Sequence, residues 1–188
     1  VTGARTVVLA LGSNIGDRLG YLQRGVSALC GGPAGPDDGL ACRAVSSVYE
    51  TAPVGGPAQE DYLNAVLLAS SSLPPDQILA RAAAAEAAAA RIRTVHWGPR
   101  TLDVDVIACG DETSDDPRLT LPHPRAHERA FVLAPWLEIE PDAVLPGWGP
   151  VADLLGRADR GGMRRMTELR LTLPDGPGQP EVRLNQCR

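Results

Sequence analysis

Lysine is absent from this chain of 188 residues, so all 18 of its Lys-plus-Arg positions are arginine. That absence removes three chemistries at once. A P-loop needs its lysine on the phosphates, a protein kinase needs its strand lysine, and a Schiff-base enzyme needs a lysine amine. Any side-chain grip on phosphate must therefore come from arginine, whose planar fork meets two oxygens together. Aromatics are also scarce, with one Phe, three Tyr and three Trp, and the net charge is −5. With a pI of about 5.2, the chain lacks the stacking surface and the general attraction that nucleic-acid binding draws on, so no nucleic-acid partner is expected. The apolar run near the start, Val7 to Leu11, is far too short for a signal-peptide core or a membrane span. No membrane association is expected, and a cytoplasmic location follows. The four cysteines, Cys30, Cys42, Cys109 and Cys187, show neither CxxC nor metal-ligand spacing and are expected to be reduced and structural.

What is present is ordinary globular material, 44% hydrophobic and 22% charged, enough for one compact core with appendages. Thr6 to Leu11 predicts a strand ending at Gly12-Ser13-Asn14. Asp17 then opens a helix whose Leu19, Leu22, Val26 and Leu29 recur at three- and four-residue steps until Gly31-Gly32-Pro33. Strand character returns over Arg43 to Glu50 and Tyr62 to Ala69, around a Gly/Pro-rich loop. Asp76 is a candidate N-cap for an Ala-rich helix running to Arg91, with Ile78, Leu79, Ala82 and Ala85 toward the core. Thr101 to Ala108 predicts another strand and Glu128 to Leu137 a last short helix. The order is β-α-β-β-α-β, the ferredoxin-like α+β arrangement with helices on one face of an antiparallel sheet. Residues 1–160 form the expected domain; 161–188 read as an extension, with a candidate strand at Met166 to Leu173 and no assigned role. A monomer is expected.

The chemistry concentrates around Thr101-Leu-Asp-Val-Asp-Val-Ile107. Strand period two puts Asp103, Asp105 and Ile107 on one face and Leu102, Val104 and Val106 on the other. The two carboxylate-bearing Cα atoms then lie roughly 6–7 Å apart. Such a pair can hold one or two Mg2+ ions that also bind phosphate, although a half-solvated polar strand face would carry the same pattern. Cationic and imidazole side chains flank the pair: Arg91, Arg93, His96 and Arg100 before it, and His123, Arg125, His127 and Arg129 after it. Their concentration favours charge stabilisation in phosphoryl transfer. Tyr62 and Asn64 share a strand face and could offer a flat ring a stacking surface and an amide. Phe131, the only Phe, is by itself better read as a core residue, and Trp97 could wall a purine or simply pack.

Leu11-Gly-Ser-Asn14, Tyr49-Glu-Thr-Ala-Pro53, Asp61-Tyr-Leu-Asn-Ala65, Trp97-Gly-Pro-Arg-Thr-Leu-Asp-Val-Asp105, Leu121-Pro-His-Pro-Arg125 and Glu128-Arg-Ala-Phe131 together resemble the 6-hydroxymethyl-7,8-dihydropterin pyrophosphokinases of folate biosynthesis. The resemblance implies transfer of the β,γ-pyrophosphoryl group of ATP to the pterin hydroxymethyl group, with release of AMP. It implies two Mg2+ ions at Asp103 and Asp105, and catalytic roles for Arg100 and Arg91. ATP would be surrounded by Glu86, Arg91, Arg93, Trp97, Arg100, Val106, His123, Pro124 and Arg129. The pterin would meet Thr51, Ala52, Val54, Tyr62, Asn64 and Phe131. No general base is evident. The 51–59 and 92–99 loops, Gly/Pro-bounded and flanking this site, are expected to close over bound ATP. A different two-metal phosphoryl or nucleotidyl transferase is the alternative enzyme, and a ferredoxin-like RNA-binding module the non-enzymatic one.

Overall fold

The computed structural model describes residues 3–31, 39–53, 59–89 and 100–174. Its first strand, β1 (Arg5–Ser13), leads to α1 (Arg18–Cys30), capped by the Asp17 carboxylate accepting from the Gly20 N–H. Then come β2 (Leu40–Val45), β3 (Val48–Thr51), β4 (Tyr62–Ser71), α2 (Pro75–Ala88) and β5 (Asp103–Cys109). β2 and β3 are two arms of one bent strand, both pairing with β4. The bend falls at Ser46, whose N–H bonds the Val66 carbonyl and whose Oγ accepts from the Val66 N–H, each at 2.9 Å. Strand order β3-β4-β1-β5, all antiparallel, is the expected ferredoxin-like α+β core. The helix expected to be capped by Asp76 begins two residues earlier, with Pro74 at the cap position. Pro75 occupies its first turn, where a fixed φ and a missing N–H cost nothing, and Asp76 serves as first-turn acid rather than cap.

After β5 the chain forms a small hairpin, β6 (Ser114–Asp116) with β7 (Leu119–Leu121), and a 3-10 turn at Ala126–Glu128. There follow α3 (Ala130–Ile139), the β8 (Val144–Leu145) and β9 (Gly149–Pro150) hairpin, α4 (Val151–Arg157) and β10 (Arg164–Met166). The expectation of helices on one face only is corrected here. α1 and α2 cover one sheet face with Leu22, Val26, Ile78 and Ala82, while α3 and α4 cover the other with Val132, Leu133, Trp136 and Leu154. The sheet is sandwiched because its strands are apolar on both sides: Leu9, Leu67 and Val104 face the first core, Val8, Val66 and Ile107 the second. Each such fully buried side chain stabilises the fold by about 1.5–3 kcal/mol.

Gly25 of α1 sits so close to the sheet that a Cβ there would meet Leu102 Cδ2 at 2.9 Å and Leu11 Cδ2 at 3.1 Å. That close approach seats Leu102 under the helix and sets the orientation of the residues that follow it. A second correction concerns thiols. Cys30 and Cys42 are joined as a disulfide, Cα to Cα 5.4 Å, tying the end of α1 to β2. The pairing is set by how α1 lies over the sheet, which spacing along the chain does not encode. Cys109 is free and buried, its thiol pushed up to about 11 by burial; Cys187 lies outside the described residues.

Candidate active site

Period two on β5 holds as expected. Leu102, Val104 and Val106 are buried in the α1/α2 core, while Ile107 joins the α3/α4 core. Asp103 and Asp105 therefore share the α3/α4 face, beyond the N-terminus of α3. Strand register then links them to the residues proposed for the ring. Gly12 of β1 stands opposite Asn64 of β4 on one side and Asp103 of β5 on the other. Directly paired antiparallel residues point the same way, so Asn64, Gly12 and Asp103 form one row, about 10 Å wide at two strand spacings. A Cβ on Gly12 would meet Asn64 Oδ1 at 3.4 Å and Tyr62 Cδ1 at 3.6 Å. Glycine thus keeps open the cradle beside the tyrosine and the amide. In the sequence Gly12 stood out as the end of a strand and as part of Leu11-Gly-Ser-Asn14, with no role of its own.

The acid pair is already matched with cations. Arg100 Nη1 donates to Asp103 Oδ2, and Arg129 Nη1 lies 3.2 Å from Asp105 Oδ2. His123 is brought in because its N–H bonds the Ile107 carbonyl at 2.8 Å, anchoring the 122–125 loop on the edge of β5. Its Nδ1 accepts from the Arg125 N–H at 3.2 Å, which leaves Nε2 as the protonated nitrogen of the neutral ring. Nε2 stands 3.7 Å from Asp105 Oδ2. Burial, opposed by Asp105 and assisted by Arg129, pushes the His123 imidazole below its ordinary range. Asn14, 1% exposed, holds the start of this region: its Oδ1 accepts from the Arg100 N–H at 2.8 Å and its Nδ2 donates to Gln59 Oε1 at 2.9 Å. Asn14 is a positioning residue that appeared in the sequence only as part of the GSN turn.

On the other side, Asn64 is 6% exposed and its Nδ2 donates to Thr51 Oγ1 at 2.9 Å. Thr51 is buried and Ala52 exposed. Tyr62 is half-buried; burial raises its phenol above the ordinary range, and Arg100 and Asp103 are near enough to act on it electrostatically. Phe131 is half-buried on the second core, with the Arg129 guanidinium 5.6 Å from its ring centroid. Glu86 reaches from α2 to accept from the Val104 N–H at 2.9 Å, and Pro124 is exposed. Val106 stands apart: the residue is 4% exposed and packs into the opposite core. Val54, Arg91, Arg93, His96 and Trp97 lie outside the described residues, as does most of each loop expected to close.

Among the described residues no group of three or more His, Cys, Asp or Glu is arranged to hold a metal ion. Two strand carboxylates suit a hard cation that completes its shell with phosphate oxygens and water, as Mg2+ does.

The fold and these contacts define a ferredoxin-like α+β domain in which carboxylates and guanidiniums converge on the sheet face that also carries Tyr62 and Asn64. Its family is shown by comparison with known proteins. The profile of the 7,8-dihydro-6-hydroxymethylpterin-pyrophosphokinase (HPPK) family matches residues 8–141, and the chain belongs to that family. Similar proteins include the 2-amino-4-hydroxy-6-hydroxymethyldihydropteridine pyrophosphokinase of Mycobacterium tuberculosis (strain ATCC 25618 / H37Rv), 44% identical over 174 residues, 84% of this chain and 88% of that protein. The enzyme of the same name from Methylorubrum extorquens is 40% identical over 158 residues, 84% of this chain and 96% of that one. Among solved structures, an HPPK-DHPS in complex with substrates superposes with a TM-score of 0.64 at 10% identity, over 87% of this chain and 47% of that chain. That likeness concerns the fold, and this chain spans about half of the longer one.

Proposed function

We infer that this chain is the enzyme that transfers the pyrophosphoryl group of ATP to 6-hydroxymethyl-7,8-dihydropterin in folate biosynthesis. Family membership supports the reaction, and the observation that carries its location is the row Asn64, Gly12, Asp103. It puts the Asn64 amide and the bare Gly12 backbone in line with Asp103 on one sheet face, which supports a ring bound next to the acid pair. In this reading the pterin lies against Gly12 between Tyr62 and Phe131, with Thr51, Ala52 and Val54 near it and Asn64 bonding its edge. ATP lies toward Glu86, Arg91, Arg93, Trp97, Arg100, His123, Pro124 and Arg129, with the main chain of Val106.

The hydroxymethyl oxygen bonds to the β-phosphorus of ATP, the bond from that phosphorus to the α,β-bridging oxygen breaks, AMP departs, and the hydroxyl proton passes to water. Asp103 and Asp105 would hold Mg2+, two ions in our reading, which supplies charge neutralisation and orientation of the phosphates. Arg129 and Arg100, each paired with one of the aspartates, would stabilise charge on phosphate oxygens bound beside that pair. His123 offers a neutral Nε2–H donor. No side chain in the described cleft is assigned as a general base, and positioning with charge stabilisation carries the step. We further propose that residues 1–160 are the catalytic domain and that the chain acts as a cytoplasmic monomer without nucleic acid or membrane. No described helix is long and apolar enough to cross a membrane.

The test is to incubate the protein with ATP, Mg2+ and the pterin and to follow AMP against ADP. Pterin-dependent AMP supports the assignment; ADP, or product without pterin dependence, overturns it. Arg100→Ala is expected to lower the rate at saturating substrates by about 10²-fold. Weaker binding with an unchanged saturated rate would remove Arg100 from the catalytic step.

A further inference from the structure

Residues 164–173 lie outside the stretch matched by the family profile, yet they are built into the frame of the pterin pocket. β10 adds to the sheet edge, with Arg164 opposite Glu50, Arg165 opposite Tyr49 and Met166 opposite Val48. The chain then crosses to α1, where Leu171 is buried against the first core. Gln23 and Thr172 clasp each other there: Gln23 Nε2 donates to the Thr172 carbonyl at 2.8 Å, and the Thr172 N–H donates to Gln23 Oε1 at 2.9 Å. The segment is a strap fastened at both ends.

Its first residue connects to the site. Arg164 Nη2 donates to Glu50 Oε2 at 2.5 Å, and Glu50 Oε1 accepts from Arg18 Nη1 at 3.2 Å. The same Arg18 nitrogen donates to the Asp61 carbonyl at 2.7 Å. Glu50 directly precedes Thr51, Asp61 directly precedes Tyr62, and Thr51 pairs with Tyr62 across β3 and β4. One carboxylate bridged by two arginines thus joins both stems of the 52–61 loop, next to the threonine that orients the Asn64 amide. Arg164 is 69% exposed in its side chain while Glu50 is 14% exposed, so the arginine caps a nearly buried acid from outside. Arg165 supports the neighbouring turn of β3 through Ser47 Oγ and Glu138 Oε1, both at 2.7 Å.

We propose that the strap is a positioning element of the pterin pocket, with Arg164 acting through Glu50 and Arg18 on the two stems that carry Thr51 and Tyr62. The proposal rests on the pterin assignment above. If the strap only added stability, losing Arg164 would lower the melting temperature and leave both substrates' constants alone. If it positions the pocket, the pterin constants move and the ATP constants do not.

The experiment compares the full chain with Arg164→Ala, Arg164→Lys and Gln23→Ala by steady-state kinetics, thermal melting and calorimetric titration of the pterin with a non-hydrolysable ATP analogue present. Arg164→Ala is expected to raise both KM and Kd for the pterin about fivefold, the upper end for one exposed ion pair, with ATP KM and saturated rate unchanged. Arg164→Lys restores most of the difference. Gln23→Ala, which releases only the far clasp, lowers the melting temperature without moving pterin Kd. Equal pterin Kd in the parent and Arg164→Ala, or parallel loss for ATP and pterin, overturns the proposal. A parent chain that binds no pterin at all overturns the assignment beneath it.

Discussion

The two halves of the cleft are held by different forces. On the β5 side, Asp103, Asp105, Arg100 and Arg129 are charged, partly exposed and paired with one another. On the β4 side, Thr51 and Asn64 are neutral, buried and joined by a single directed hydrogen bond. A neutral buried pair has one favourable arrangement and keeps it, since an unsatisfied amide there would cost about 1–3 kcal/mol. Charged pairs near the surface are worth little individually and exchange partners readily. The contrast separates a fixed Thr51–Asn64 side from an Arg/Asp side of charged pairs, and under the function proposed above these would be the ring side and the phosphate side.

The strongest way to break this comparison is at the carboxylates. Asp103→Ala and Asp105→Ala are each expected to cut AMP formation by roughly 10³-fold while the pterin still binds in titration. Loss of pterin affinity in either variant would show that the halves are not separable. Next comes Asn64→Ala, expected to weaken the pterin about tenfold with ATP KM unchanged; an ATP effect of similar size would merge the two halves. Gly12→Ala sharpens the comparison further. The added methyl makes ordinary contacts at 3.4 and 3.6 Å, so the melting temperature should hold while pterin Kd rises about threefold or more, because the methyl occupies cradle space. A destabilised protein with normal pterin affinity would remove Gly12 from the pocket.

The smallest effect concerns pH. The Arg164 and Arg18 guanidiniums hold the Glu50 carboxyl below its ordinary value of 4.5. A depressed folded-state value contributes stability above the unfolded value and loses it as pH falls through the folded one. Glu50→Gln should therefore flatten the decline of melting temperature below pH 4.5 and change little at neutral pH. An unchanged acid limb would show that this carboxylate is not linked to folding.

Much of this was legible along the chain, for local reasons. Alternation sorted Leu102, Val104 and Val106 from Asp103, Asp105 and Ile107 because side chains on any strand alternate, whatever lies on either side. The helix over α1 followed from its three-and-four spacing and its Asp17 cap. The same locality explains the misses. The cysteines were read as unpaired because 12 residues separate Cys30 from Cys42, and no short motif marks the approach of a helix end to a strand. The strand expected over Met166 to Leu173 is confined to Arg164–Met166, because beyond Met166 the chain leaves the sheet edge for α1.

By itself the sequence determined the all-arginine cation set, the order of the β-α-β-β-α-β core and the faces of β5, since composition and periodicity need no partner. Only the tertiary structure decided what each face meets. It placed a second helical layer over the other sheet face, set Asn64 and Asp103 on either side of Gly12, and fastened the C-terminal strap to the strand stems that precede Thr51 and Tyr62. Those outcomes depend on contacts between residues far apart in the chain, and periodicity specifies which way a side chain points without specifying what it touches.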